Sequence, residues 1–171
     1  MPGGAVIQPA SREHLGDIPG IEHAGAAMFS EEDLPAGLRY RMTAVADLSE
    51  ALDDGRLWVA VLDRRTVGFA LADVVDGQAY LAEIDVLPEF GRRGIGTALI
   101  RAVANWAHTS GFATLMLVTF RHLPWNAPFY AKLGFSILDA AEHGSELCGL
   151  IEEEREIGLD VTKRVAMKLR L

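Results

Sequence analysis

The stretch Asp85 to Leu99 reads D-V-L-P-E-F-G-R-R-G-I-G-T-A-L. An apolar run, Leu81 to Leu87, stops at Pro88, and a short turn with Arg92, Arg93 and the glycines Gly91, Gly94 and Gly96 leads into a helical pattern. The first N–H groups of a helix have no partner inside it and lie at the positive end of its dipole. Glycine lets an anion approach them, so the turn reads as a phosphate cradle made by Gly94, Ile95, Gly96 and Thr97, with Arg92 and Arg93 adding charge.

Outward from that turn, the chain alternates between two hydrophobic periods. Ala5–Gln8 reads as a strand, a weak helix runs from Ser11 to Met28, and residues 29–41 read as a loop or broken helix. Thr43 is expected to cap a helix over Ala44–Leu52. Leu57–Leu62, Val67–Val75 and Ala79–Leu87 read as a meander of strands joined by Asp63-Arg64-Arg65 and Asp76-Gly77. A helix over Gly94–Thr109, a strand over Thr114–Thr119, and a short helix within Pro124–Leu133 follow. The last elements are a strand over Phe135–Leu138, an acidic helix over Ser145–Glu156, and a basic-flanked terminal strand over Val165–Leu171. The order predicts an α+β (mixed α/β) fold, a largely antiparallel sheet of about seven strands with helices on both faces. In such sheets ligands bind beyond the carboxyl end of a strand, where the glycine turn falls.

The bulk properties narrow the function. A chain of 171 residues, half of them hydrophobic and 23% charged, suits a single domain spanning 1–171. A net charge of -8 argues against broad binding to nucleic acid or an anionic membrane. One cysteine, Cys148, leaves no internal disulfide, which fits a reducing, cytoplasmic compartment. The start, M-P-G-G-A-V-I-Q-P, lacks the basic and apolar regions of a targeting signal, and no apolar run is long enough to span a bilayer. His14, His23, His108 and His143 are scattered without metal-ligand spacing, so no metal is expected.

Glycine turns of this kind serve several phosphate ligands. A dinucleotide site needs a third glycine near Leu99, and a Walker-type loop needs Gly-Lys-Ser/Thr; neither is present. A second motif separates the possibilities. Pro124-Trp125-Asn126-Ala127-Pro128-Phe129-Tyr130-Ala131-Lys132-Leu133-Gly134-Phe135 ends in Tyr-x-x-x-Gly-Phe. Together with Val86-x-Pro88 through Arg93-Gly94-Ile95-Gly96 to Leu99, it resembles the paired signatures of the GNAT (Gcn5-related) N-acetyltransferases.

That resemblance implies acetyl-CoA as cosubstrate, with its pyrophosphate in the glycine turn and its pantetheine arm along the main chain of Val86 and Leu87. It implies direct attack of an amine on the thioester and a tyrosine, here Tyr130, that protonates the departing sulfur. Gly91 stands where the family carries arginine or glutamine, so Arg92 or Arg93 is expected to fill that role. Asn126 has two expected tasks, contact with the pantetheine arm or capping of the helix after it. The base is left among Glu83, Asp85 and His122, with Glu83 preferred; Glu83 and Asp85 share a strand face. The acceptor is expected to be a small-molecule primary amine, with a peptide or protein amine second. Glu22, Glu31, Glu32, Asp33, Phe29 and Tyr40 would suit its positive charge. The competing reading is a non-catalytic acyl-CoA-binding module. The terminal strand and the Ser145–Glu156 helix offer a surface for a possible homodimer.

Overall fold

The computed structural model describes residues 4–171. Met1, Pro2 and Gly3, where the reading of the N-terminus began, lie outside the described residues. Strand β1 is Val6–Pro9, followed by helices α1 (Ile18–Ala26) and α2 (Val45–Asp53). Strands β2 (Leu57–Leu62), β3 (Arg65–Val75) and β4 (Gln78–Val86) form the meander, and helix α3 is Ile95–Thr109. Then come β5 (Thr114–Phe120), α4 (Ala127–Lys132), β6 (Ser136–Ile137), α5 (Ser145–Glu156) and β7 (Arg164–Arg170).

The seven strands form one sheet in the order β1-β2-β3-β4-β5-β7-β6. β4 and β5 pair in parallel, Ala79 with Leu115 and Tyr80 with Met116, and α3 is the crossover between them. The pairs β1–β2, β2–β3, β5–β7 and β6–β7 are antiparallel. The mixed class and the largely antiparallel sheet agree with the sequence. Among the described residues no helix is long and apolar enough to cross a membrane.

The chain divides into two compact units, Met1–Asp73 with Leu81–Asn105 and Val74–Tyr80 with Trp106–Leu171. In the first, Ile18, Leu48, Leu57, Val59, Val67, Phe69 and Leu99 are fully buried. β3 is buried without a break from Thr66 to Ala72, as a strand covered on both faces must be. The β2–β3 hairpin turns on Asp63 and Arg64, with φ of +48° and +64°, a tight turn made without glycine. The expected cap Thr43 does not cap: Ala44 stands at the start of α2, and the Thr43 N–H donates to Glu22 Oε2 at 2.9 Å.

In the second unit, Val75, Met116, Leu138, Leu147 and Ala166 form a core, with Leu150 and Ile151 packed on it. The hairpin before β4 turns on Asp76 and Gly77. The Asp76 carboxylate accepts the N–H groups of Glu146 and Leu147, both at 3.0 Å, and so caps α5 from a distant part of the chain. The Glu146 carboxylate takes the Asp76 N–H in return. β7 is interior to the sheet. It lies between β5 and the two-residue β6, with Val165, Ala166 and Met167 buried. The short β6 takes the edge, which is how sheets limit exposed pairing groups. Lys168 serves β7 by an ion pair to Glu142 at 2.8 Å.

Candidate functional site

The glycine turn is built from the end of β4 onward. The Leu87 N–H donates to the Val67 C=O at 2.8 Å, and the Leu87 C=O accepts from the Phe90 N–H at 2.8 Å. Leu87 is thus tied into the protein by both main-chain groups. Alternation along the strand turns the N–H and C=O of Val86 to the edge opposite β3.

Pro88–Phe90 then makes one tight helical turn, closed by a bond from the Gly91 N–H to the Pro88 C=O at 3.1 Å. A Cβ at Gly91 would stand 3.1 Å from that same carbonyl. Arg92 and Gly94 take left-handed conformations, with φ of +61° and +79°. The left-handed region costs an ordinary residue about 1–2 kcal/mol, and glycine almost nothing. These two residues reverse the chain so that α3 opens at Ile95. The Ala98 N–H already bonds to the Gly94 C=O at 3.0 Å, which leaves the amides of Ile95, Gly96 and Thr97 as the unpaired first turn.

Arg93 lies over the Phe90 ring at 5.3 Å, and Arg65 lies over the same ring at 5.4 Å while pairing with Glu89 at 3.0 Å. Cation–π contact with one ring orders both guanidiniums. Arg92 is exposed. The position that lacks a side chain at Gly91 is therefore followed by one anchored arginine, Arg93. Arg65 and Phe90 were not expected from the sequence, since nothing in a strand's first residue announces a partner 25 positions later.

Glu83 and Asp85 lie on β4 in the same unit, on one strand face as expected. The Asp85 carboxyl lies against Gly25 of α1, so closely that a Cβ there would overlap Oδ1. Burial pushes the Asp85 carboxyl well above its ordinary range. The charge of Glu83, a hydrogen bond shared with Glu83 and the charge of Glu22 add to the rise. Asp85 and Glu83 are thus hydrogen-bonded carboxyl groups, with burial acting first on Asp85 to favour its protonated form. Glu22 is 7% exposed. Its Oε2 accepts from Thr43, and its Oε1 is buried without a hydrogen-bond partner. Of the other acidic groups in this region, Asp33 is buried against Ser30, whose hydroxyl donates to it at 3.3 Å. Tyr40 is exposed and stacks on His23 at 5.2 Å between ring centres. Among the described residues no group of three or more His, Cys, Asp or Glu side chains is placed to hold a metal ion.

The second unit holds the Tyr-x-x-x-Gly-Phe motif. Tyr130 is buried in α4, with edge contacts to Phe129 at 5.4 Å and Phe135 at 5.6 Å. Gly134, at φ +98°, ends the helix and folds the chain back, so the Phe135 N–H reaches the Tyr130 C=O at 3.1 Å. Glycine is needed there for the two rings to meet. Asn126 precedes α4, yet its side chain makes no cap bond. Its Oδ1 instead accepts from the Thr119 hydroxyl at 2.7 Å and the Phe120 N–H at 3.3 Å. The expected cap is thus corrected to a tie between α4 and the end of β5, where the buried Thr119 hydroxyl needs an acceptor. His122 is exposed, with its ring edge-on to Phe120 at 6.0 Å.

The model of the acetyltransferase (GNAT) family matches residues 24–135. The [ribosomal protein bS18]-alanine N-acetyltransferase of Salmonella typhimurium is 35% identical over 74 residues, 43% of this chain and 50% of that protein. That match spans half the length of the relative. Among solved structures, the PaiA N-acetyltransferase of Thermoplasma acidophilum in complex with coenzyme A is similar with a TM-score of 0.72. It is 17% identical, over 99% of this chain and all of that one. The ribosomal-protein-S18-alanine N-acetyltransferase of Escherichia coli is similar with a TM-score of 0.67 at 19% identity, over 97% of this chain and 93% of that one. At these identities the structural likeness is one of fold.

Proposed function

The chain belongs to the acetyltransferase (GNAT) family, and from that premise we propose that it transfers the acetyl group of acetyl-CoA to a primary amine. The observation that carries the reading is the β4–turn–α3 segment. It presents the amides of Ile95, Gly96 and Thr97 at a helix start, beside an arginine anchored on Phe90. In this reading residues 1–171 work as one acetyltransferase domain in the cytoplasm. The cradle of Arg92, Arg93, Gly94, Ile95, Gly96 and Thr97 holds the pyrophosphate. The main chain of Val86, with Leu87 behind it, and Asn126 serve the pantetheine arm.

The amine attacks the thioester carbonyl directly. Glu83 takes the proton that the nitrogen gives up, the new C–N bond forms, and the C–S bond breaks. Tyr130 protonates the departing sulfur, so CoA leaves as the thiol. Asp85 donates a hydrogen bond to Glu83 and orients it. Between Glu83, Asp85 and His122, the burial that disfavours the charged form of Asp85 and the exposure of His122 favour Glu83 as base. The acceptor is a small-molecule amine in the first instance and a peptide or protein amine in the second.

The test is a broad panel of amines offered with acetyl-CoA, read by release of free thiol. Thiol release with at least one amine, absent without protein, is the expected result. Acetyl-CoA binding without release for any amine would overturn the enzyme reading in favour of an acyl-CoA-binding module.

A further inference from the structure

Glu22 of α1 and Asp85 of β4 meet one face of α1. Glu22 and Gly25 are one turn apart, and the Asp85 carboxyl rests on Gly25. The Thr43 N–H holds Glu22 Oε2 and so fixes the side chain, while Oε1 remains buried and without a donor. Buried polar atoms are almost always paired, and a buried carboxylate oxygen most of all. The charges that act on Asp85 are Glu83 and Glu22, both of its own sign.

Charge counting then limits what enters. Glu83 and Glu22 both act on the buried Asp85 with charge of its own sign, so this part of α1 and β4 gathers acidic groups and, among the described residues, no cation is seen to act on Asp85. The attacking nitrogen must be neutral when it reaches the thioester. It can pass its proton to Glu83, but it cannot at the same moment neutralise Glu22. We propose that Glu22 Oε1 binds a second cationic group of the acceptor, so that the acceptor class is a diamine. One nitrogen is then neutral for attack, and the other is an ammonium held by Glu22. No bond is made or broken at Glu22; it sets specificity. The inference rests on the acetyltransferase reading and narrows its substrate.

The experiment compares 1,4-diaminobutane with 1-aminobutane, in the wild-type protein and in Glu22→Gln. The wild type is expected to prefer the diamine by about tenfold or more in kcat/KM, and Glu22→Gln to bring that ratio close to one. Glu22→Asp, which keeps the charge, should keep the preference. Equal use of the two amines by the wild type would overturn the proposal, as would a preference that survives in a natively folded Glu22→Gln. If neither amine is turned over, calorimetry on the CoA-saturated protein decides. Diamine binding weakened about tenfold by Glu22→Gln upholds the subsite. Equal binding, or none in the wild type, removes it. Failure of the whole amine panel counts against the acetyltransferase reading, whereas the binding comparison judges Glu22 alone.

Discussion

The two units treat their polar groups in opposite ways. In the second, the motif around Tyr130 is tied together: the Asn126 Oδ1 accepts from Thr119 and Phe120, Gly134 brings Phe135 against Tyr130, and Asp76 caps α5. In the first, polar groups are left over. The first-turn amides of α3 have no helical partner, Glu22 Oε1 has no donor, and Asp85 is pressed among carboxylates. A folded chain leaves such groups unsatisfied where a ligand completes them. The first unit is therefore where binding is expected to be read out, and the second is where a rigid frame holds one tyrosine.

The strongest way to break that contrast is at the cradle. Gly94→Val puts a β-branched residue at φ +79° in front of the α3 amides. Acetyl-CoA affinity measured by calorimetry is expected to fall by about a hundredfold or more. Affinity within a few-fold of wild type would remove the cradle assignment. Tyr130→Phe attacks the other side of the comparison. It keeps the edge contacts to Phe129 and Phe135 but deletes the hydroxyl. Turnover should drop by about a hundredfold, with acetyl-CoA affinity nearly unchanged. Equal turnover would take Tyr130 out of the chemistry.

How much of this was legible in the sequence follows the same divide between local and distant partners. The glycine turn, the helix after it, the α5 limits at Ser145 and Glu156 and the Tyr-x-x-x-Gly-Phe closure all depend on residues a few positions apart. Their signals are periodicity and left-handed glycines. Thr43 lies one position before the cap, which Ala44 holds, and its amide serves Glu22, 21 residues earlier. The Asn126 cap failed because its oxygen is claimed by Thr119 across a loop. The α5 cap by Asp76 spans 70 residues and has no local signature. The same holds for Arg65 on Phe90, and for the place of β7 between β5 and β6. Glu22 could be read as one acidic group among several, but its burial depends on packing that no spacing encodes.

Gly25→Ala tests whether the crowding of carboxyl groups is built into α1. The added methyl would overlap Asp85 Oδ1, so Asp85 or the helix must move. A gain from replacing a helical glycine, about 1 kcal/mol, is set against an overpacking cost of about 1–3 kcal/mol. Net destabilisation by denaturant titration, with weakened turnover at saturating acetyl-CoA, is expected. A more stable and equally active Gly25→Ala would show that Asp85 has room to spare.

The smallest effect expected is also the one with a sign that can be worked out in advance. Asp85 is held well above its ordinary range, chiefly by burial and then by Glu83 and Glu22. The folded protein therefore binds this proton at pH values where the unfolded chain has released it. Stability from this group is fully present below the unfolded value of about 3.9, and it is lost as pH rises toward the raised folded value. Asp85→Asn keeps an N–H donor for Glu83 and removes the titration. Its melting temperature should exceed that of the wild type by a few degrees at neutral pH, and the gap should close as pH falls toward 4. A gap that is constant with pH would mean that the Asp85–Glu83 pair holds no extra proton in the folded protein, because Asp85→Asn also removes the charge that would keep one on Glu83.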